Sequence, residues 1–278
     1  MSTAGRMPAA EAGAAPAPAR RAGWAWRRLP LLLLPLLALV AWQLVVWLAG
    51  PRDWLLPSPA DVAQVLWDDR SRLWYHAQAT IAEAGLGFAL AASVGVALAV
   101  AIAASRGVEA AVYPWLIASQ AIPILAVAPI VAIWLDYGAA QVMVAFVVAF
   151  FPVVVTGVDG LRGADPALSR AARTLGASRL WAFWRVTVPD AMPSLFSGLK
   201  MAAVFAVTGA VVAEYVGADR GLGYLSEFST AQFRTDVSFA AILLLAVIGM
   251  AFFGIVGIAE RLALPHRRHA ARPPWRPR

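Results

Sequence analysis

The sequence predicts an all-α membrane protein with six transmembrane helices. Three observations predict it: charge is scarce, the apolar residues fall in long blocks, and the arginines gather beside those blocks on one side. Of 278 residues, 61% are apolar and 14% charged, where a soluble domain carries about 25% charged residues. So little charge cannot coat a water-facing surface of this size.

The first block, Leu29 to Ala49, follows Arg20, Arg21, Arg27 and Arg28. Its basic flank is that of a signal peptide, but a secretory core has about 7–15 apolar residues and a small-residue cleavage site. This run is long enough to cross a hydrocarbon core of roughly 30 Å, so it is expected to be a retained helix. Further runs follow at 77–104, 112–135, 139–161, 193–216 and 239–262. They contain Gly85, Gly87, Gly95, Pro123, Pro129 and Pro152, which membrane helices tolerate. The small-residue steps from Ala91 to Gly95 let neighbouring helices approach closely. Span three is the one at risk of breaking, at Pro123 or Pro129.

Arginine placement orients the spans. Taking an even count, the two ends, the loop between spans four and five and the short loop at Arg106 share one side with 17 arginines, against five opposite. Positive charge marks the cytoplasmic side, so both termini are expected in the cytoplasm of a bacterial inner membrane. The expected organisation is a disordered basic tail over 1–28, a transmembrane domain over 29–262, and a second basic tail over 263–278. The net charge of +7 is thereby assigned to membrane orientation and not to nucleic acid. There is no cysteine, which removes disulfides and thiolate metal sites. His76, His266 and His269 are expected in loops or tail and form no metal cluster.

The loop 161–192 is far longer than a helix connection needs and carries helical signals. Asp165-Pro166 reads as an N-cap with proline at the first helical position. Leu168, Ala171, Ala172 and Leu175 then share one face, and Gly176 is a natural stop. Ser178 is placed to cap a second helix with Leu180, Trp181, Phe183 and Trp184, which Pro189 should end. On these grounds alone the loop reads equally as two interfacial helices with tryptophan at headgroup level.

Spacing adds to this. Ala171-Ala172, three residues on Gly176, then nine residues before Val186-Thr187-Val188-Pro189, resembles the EAA signature of ABC-importer permeases. Arg170 stands where that signature has glutamate. The stretches Phe151 to Val155, Asp165 to Leu168, Pro193 to Lys200 and Gly221-Leu222-Gly223-Tyr224 after Glu214 extend the resemblance to permeases of the nitrate/sulfonate/taurine/bicarbonate group. The resemblance implies a six-helix permease fold in which the loop is a cytoplasmic coupling helix between spans four and five. It implies a cytoplasmic ATPase dimer, an extracytoplasmic solute-binding protein and a second permease subunit, with a homodimer favoured. Coupling would rest on Leu168, Ala171, Ala172, Leu175, Gly176 and Pro189. The runs Ala118 to Pro129 and Glu214 to Tyr224, with Glu83, resemble the subgroup that imports thiamine-precursor pyrimidines or riboflavin; alkanesulfonate, taurine or nitrate is the alternative.

The chain is not expected to be its own motor or to bind a cofactor. A phosphate-cradling loop needs Gly-x-x-x-x-Gly-Lys-Ser/Thr, and the sole lysine, Lys200, sits in a run without the first glycine or the final hydroxyl. ATP would be used by the partner. Ionisable residues inside spans are functional candidates by default, which selects Glu83 and Glu214 for the solute pathway, with Gln120 beside Pro123. Glu214 reads equally as a water-exposed helix end. The ionisable span residues are too few for an intramembrane enzyme, and a passive channel would not need a structured loop.

Overall fold

A computed structural model describes residues 23–52, 54–136 and 138–264. Among them every regular element is helical. The expected tails 1–22 and 265–278 lie outside the described residues.

Helix α1 (Gly23–Ala49) forms a unit of its own. It begins six residues before the expected boundary at Leu29, so residues 23–28 are helix and not tail. From Leu33 onward its leucines and valines are largely exposed, an apolar cylinder of the kind that lipid covers.

The second unit begins at Pro51. Helix α2 (Pro59–Asp68) opens with a capping box between Ser58 and Asp61. The long apolar helices are α3 (Arg70–Ala104), α6 (Ala139–Gly163), α9 (Val188–Glu214) and α11 (Thr235–Ala263), and the shorter pair α4 (Arg106–Ser119) and α5 (Ile124–Trp134) lies between α3 and α6 in sequence. Between α6 and α9 lie α7 (Pro166–Thr174) and α8 (Arg179–Ala182), and α10 (Leu222–Ala231) precedes α11. Among the described residues four helical segments are long and apolar enough to cross a membrane, and the α4–α5 pair meets the same measure only when taken together across a bend of 100°. The break falls at Gln120 to Pro123, where Pro123 takes up an extended conformation before α5. Pro129, the other expected break, is carried inside α5.

Helices α3, α6 and α9 form the core, and small residues bring them together. Ala145 of α6 is fully buried between Gly87 of α3 and Gly209 of α9. A Cβ on Gly87 would lie 2.5 Å from the Ala145 Cβ, and one on Gly209 would lie 2.8 Å from the Ala145 Cα. Gly95 makes a similar approach to Val153, and a Cβ on Gly198 would overlap the Thr156 hydroxyl. Helices α4 and α5 lean on this trio through separate patches: Leu116 against Ala99, Ile102, Val154 and Val158, and Ala128 against Val144 and Ala213. At the end of the bundle near α7, Arg162 pairs with Glu109. Lys200 of α9 pairs with Glu260 of α11 and lies over the Phe253 ring. Glu260 therefore serves helix packing as well as marking a helix end.

Candidate functional site

Two regions at opposite ends of α9 carry the candidate residues. Along its 27 residues α9 rises about 40 Å, so the loop at its start and the carboxyl groups at its finish do not touch.

The loop folds as its caps dictate. The Asp165 carboxylate accepts from the Ala167 N–H at 2.7 Å, and Pro166 opens α7 without leaving a backbone donor unused. Gly176 ends the turn with φ +92°. Its N–H donates to the Arg173 carbonyl at 3.0 Å, and that of Ala177 donates to the Ala172 carbonyl at 3.1 Å. The reversal uses a left-handed residue, which favours glycine. The Ser178 hydroxyl then accepts from the Trp181 N–H at 3.2 Å.

Pro189 does not end the second helix. Residues Arg179–Glu214 form one continuous helical segment, with a π-helical turn at Phe183–Thr187. A proline ring normally collides with the carbonyl four residues earlier. The wider turn takes its hydrogen bond from the Val188 N–H to the Phe183 carbonyl, and the chain passes Pro189 without breaking.

Two contacts tie α7 to this segment. The Ser169 and Thr187 hydroxyls lie 3.2 Å apart, and the Asp190 carboxylate accepts from the Asp165 N–H at 3.1 Å. The expected face divides accordingly. Ala172 is half-buried against the body, whereas Leu168, Ala171 and Leu175 are exposed. Leu175 is 89% exposed, an apolar side chain that the described residues leave uncovered. Arg170, Arg173 and Arg179 rim a hollow of about 580 Å³ beside it.

At the far end, Glu214 is neither a water-exposed helix end nor a lining residue of the adjacent cleft. It is fully buried because it caps α10. One carboxyl oxygen accepts from the Thr80 hydroxyl at 2.6 Å and the other from the Gly223 N–H at 2.5 Å. Thr80 accepts in turn from the Leu222 N–H at 2.9 Å. His76, expected in a loop, is buried in α3, where its Nδ1 accepts from the Gly221 N–H at 3.2 Å. Three consecutive amides at the head of α10, which have no helical partner, are thus satisfied by side chains of α3 and α9. Gly221 has φ +120°, and a Cβ there would lie 2.5 Å from the Glu214 carboxylate oxygens.

Glu83 is also buried, 6% exposed, and lies beside the Glu214 carboxyl. Its Oε2 is fully buried and has no hydrogen-bond donor among the described residues. Glu83 lines a small polar cavity of about 140 Å³ with Gln141, Asp219 and Arg220. It also lines a cleft of about 570 Å³ between α3 and α6 with Gln78 and Arg220. Gln120 is not among those lining residues; it sits exposed at the α4–α5 break. Its neighbour Ser119 is satisfied by the Leu116 carbonyl at 2.7 Å.

The cap that Glu214, Thr80 and His76 together place on the amides of Gly221 to Gly223 is not announced by the spans themselves. The glycine pair in Gly221-Leu222-Gly223 was the available signal, since a chain that must pass against a side chain selects glycine.

Residues 87–263 match the family of binding-protein-dependent transport system inner membrane components. The chain belongs to that family. The permease resemblance drawn from the loop and its flanking motifs is borne out at this level. The chain is 35% identical over 235 residues to a formylaminopyrimidine transport permease of Halalkalibacterium halodurans, covering 84% of this chain and 94% of that protein. It is 39% identical over 240 residues to a riboflavin transport system permease of Chloroflexus aurantiacus, covering 85% and 90%. A taurine transport system permease of Escherichia coli is 28% identical over 260 residues, covering 89% and 94%. As a permease of this family the chain is a membrane component of a transporter, with apolar helices that fit an inner membrane.

Proposed function

We propose that this permease is the solute pathway of an ATP-driven importer, coupled through α7 to a separate cytoplasmic ATPase dimer that uses the ATP. The observation that carries the reading is the exposed Leu168–Ala171–Leu175 face on a short helix tied by Ser169 and Asp165 to the start of α9. An apolar face held rigidly at the end of a span fits a groove in a partner. Movement of that partner would reach the spans as a rigid-body displacement.

In this reading both termini and α7 are cytoplasmic. The opposite end faces an extracytoplasmic solute-binding protein, and a second copy of the chain completes the pathway. The acid-rich hollow of about 700 Å³ bordered by Asp61, Asp68, Asp69 and Asp236 lies on the face left for the binding protein. The solute is a pyrimidine or flavin-type vitamin precursor, supported by the substrates named for the Halalkalibacterium and Chloroflexus relatives. The taurine relative supports the sulfonate alternative.

The test is ATP-driven uptake in proteoliposomes holding the chain, its ATPase and its binding protein. Labelled hydroxymethyl-pyrimidine, riboflavin and taurine are offered in parallel. Uptake of the pyrimidine or the flavin is the expected result. Uptake of taurine alone keeps the importer and replaces the solute, and no ATP-dependent uptake of any solute by a correctly assembled complex removes the import reading.

A further inference from the structure

The loop between α6 and α9 is charged on one sign only. From Pro166 to Pro189 it carries four arginines and no acid. Arg170 and Arg173 stand one turn apart on α7. The reversal at Gly176, with φ +92°, then returns the chain so that Arg179 opens the next helix on the same hollow of about 580 Å³. Three cations from two elements converge on one concavity. All three are exposed, and none forms an ion pair with a described residue. The other polar side chains of the lining are engaged by the loop's own backbone. The Thr174 hydroxyl donates to the Ala171 carbonyl at 2.8 Å, and that of Ser178 accepts from the Trp181 N–H at 3.2 Å.

Gathering like charges raises their mutual repulsion, so a merely solvated flank gains nothing by it. Here two caps and a left-handed glycine hold the three together, and the complement of such a site is an anion. Leu175, at the same turn, is 89% exposed, so the occupant has to offer an apolar seat beside its negative charge. A layer of lipid phosphates offers no such seat. Length points the same way. At 1.5 Å per residue the 36-residue segment that starts at Arg179 exceeds a bilayer of roughly 40–45 Å, headgroups included, by about 10 Å. Its other end is enclosed around Glu214 by Thr80 of α3 and the head of α10, which leaves the loop end to stand clear of the headgroups. A protein surface fits this place better than a lipid.

We propose that Arg170, Arg173 and Arg179 receive carboxylates of the partner ATPase, Asp or Glu side chains that enter the hollow while Leu175 seats in an apolar groove beside them. The proposal rests on the coupling reading of α7 and adds the chemistry of the partner's face. It also gives Arg170 a role. Where the EAA signature has glutamate this loop has the opposite sign, so the surface that meets it carries the opposite sign too. Guanidinium groups suit the task, since each can hold a carboxylate through two parallel hydrogen bonds.

The experiment uses the full-length permease in lipid nanodiscs with its ATPase, and reads their affinity. Arg170→Glu, Arg173→Glu and Arg179→Glu should each weaken binding at least about tenfold, Arg170→Glu included although it restores the residue of the signature. The corresponding lysine variants should keep most of the affinity, and melting of the permease alone should not move. Arg173→Lys also supplies a chemical probe. Carbodiimide joins an amine to a carboxylate in contact with it, and the one other lysine, Lys200, is already paired with Glu260. An amide between position 173 and an Asp or Glu of the ATPase is expected, read by mass spectrometry. Unchanged affinity in all three reversals, tighter binding by Arg170→Glu, or no cross-link from Arg173→Lys in the assembled complex each overturns the proposal. Nanodiscs of phosphatidylcholine alone are compared with discs containing phosphatidylglycerol. Reversals that matter only in the anionic discs would give the hollow to a headgroup and overturn it as well. Leu175→Asp is measured beside them. If it weakens binding while the arginine reversals do not, the hollow is wrong and α7 keeps its coupling role. If neither kind of variant changes binding or uptake, the coupling reading itself falls.

Discussion

The Glu214 carboxylate accepts the Gly223 N–H at 2.5 Å inside the protein, so the last residue of one span holds the first turn of the next helix. Glu214→Ala should leave the buried Gly223 amide without its acceptor, at a cost of about 1–3 kcal/mol. Hydrogen exchange across Leu222–Ala231 should accelerate in that variant while α3 and α6 keep their protection. Unchanged exchange in α10 would show that the cap carries no weight there.

The crossing at Ala145 makes a sharper demand. Gly87→Ala sets two methyl groups against each other, because the nearest atom is the Ala145 Cβ. Gly209→Ala meets the Ala145 backbone, with the Val144 carbonyl 3.0 Å away. Each single change should cost about 1–3 kcal/mol through overpacking. Ala145→Gly should relieve Gly87→Ala in part and leave Gly209→Ala unrelieved. Thermal stability of the purified variants measures this, and equal relief of both would contradict the packing described.

Leu175→Asp tests the exposed face of α7. The side chain contacts little of its own chain, so stability should stay within about 0.5 kcal/mol of wild type. ATP-driven uptake should nevertheless fall to background, with copurification of the ATPase reduced. A variant that transports normally would remove α7 from the coupling path.

Lys200 and Glu260 should behave as a pair. Lys200→Ala leaves a carboxylate among apolar helices, and its cost should lie between the ~1 kcal/mol of exposed pairs and the ~3–5 kcal/mol of buried ones. Lys200→Glu should be worse, and Lys200→Glu combined with Glu260→Lys should regain most of the lost stability. Expression and melting of the three variants decide it.

Helix identity, the caps of the loop and the left-handed stop at Gly176 were legible in the sequence because each is set by local residue types. Apolar length predicts spans, and Asp165-Pro166 and Ser178 announce caps within three residues. What local pattern cannot carry is a partner far along the chain. Glu214 meets Thr80 across 134 positions, and Lys200 meets Glu260 only once α9 and α11 lie side by side. Pro189 was misread for the opposite reason. The rule that proline stops a helix is local, but the π turn before it gives the ring room, and no residue type announces that turn. Gln120 was drawn in as a polar residue beside a proline, yet the break at Pro123 leaves it outside the Glu83 cleft.

The unbroken passage through Pro189 has a mechanical consequence. From Arg179 to Glu214 the chain is one helical segment of 36 residues, about 54 Å long at 1.5 Å per residue. Such a segment works as a lever: a tilt of about 5° about its foot would carry its far tip roughly 5 Å sideways over that length. That tip bears the carboxylate gripping α10 and lying beside Glu83. A small push at the α7 end of the segment would therefore arrive, magnified, at the Glu214 cap that holds the head of α10.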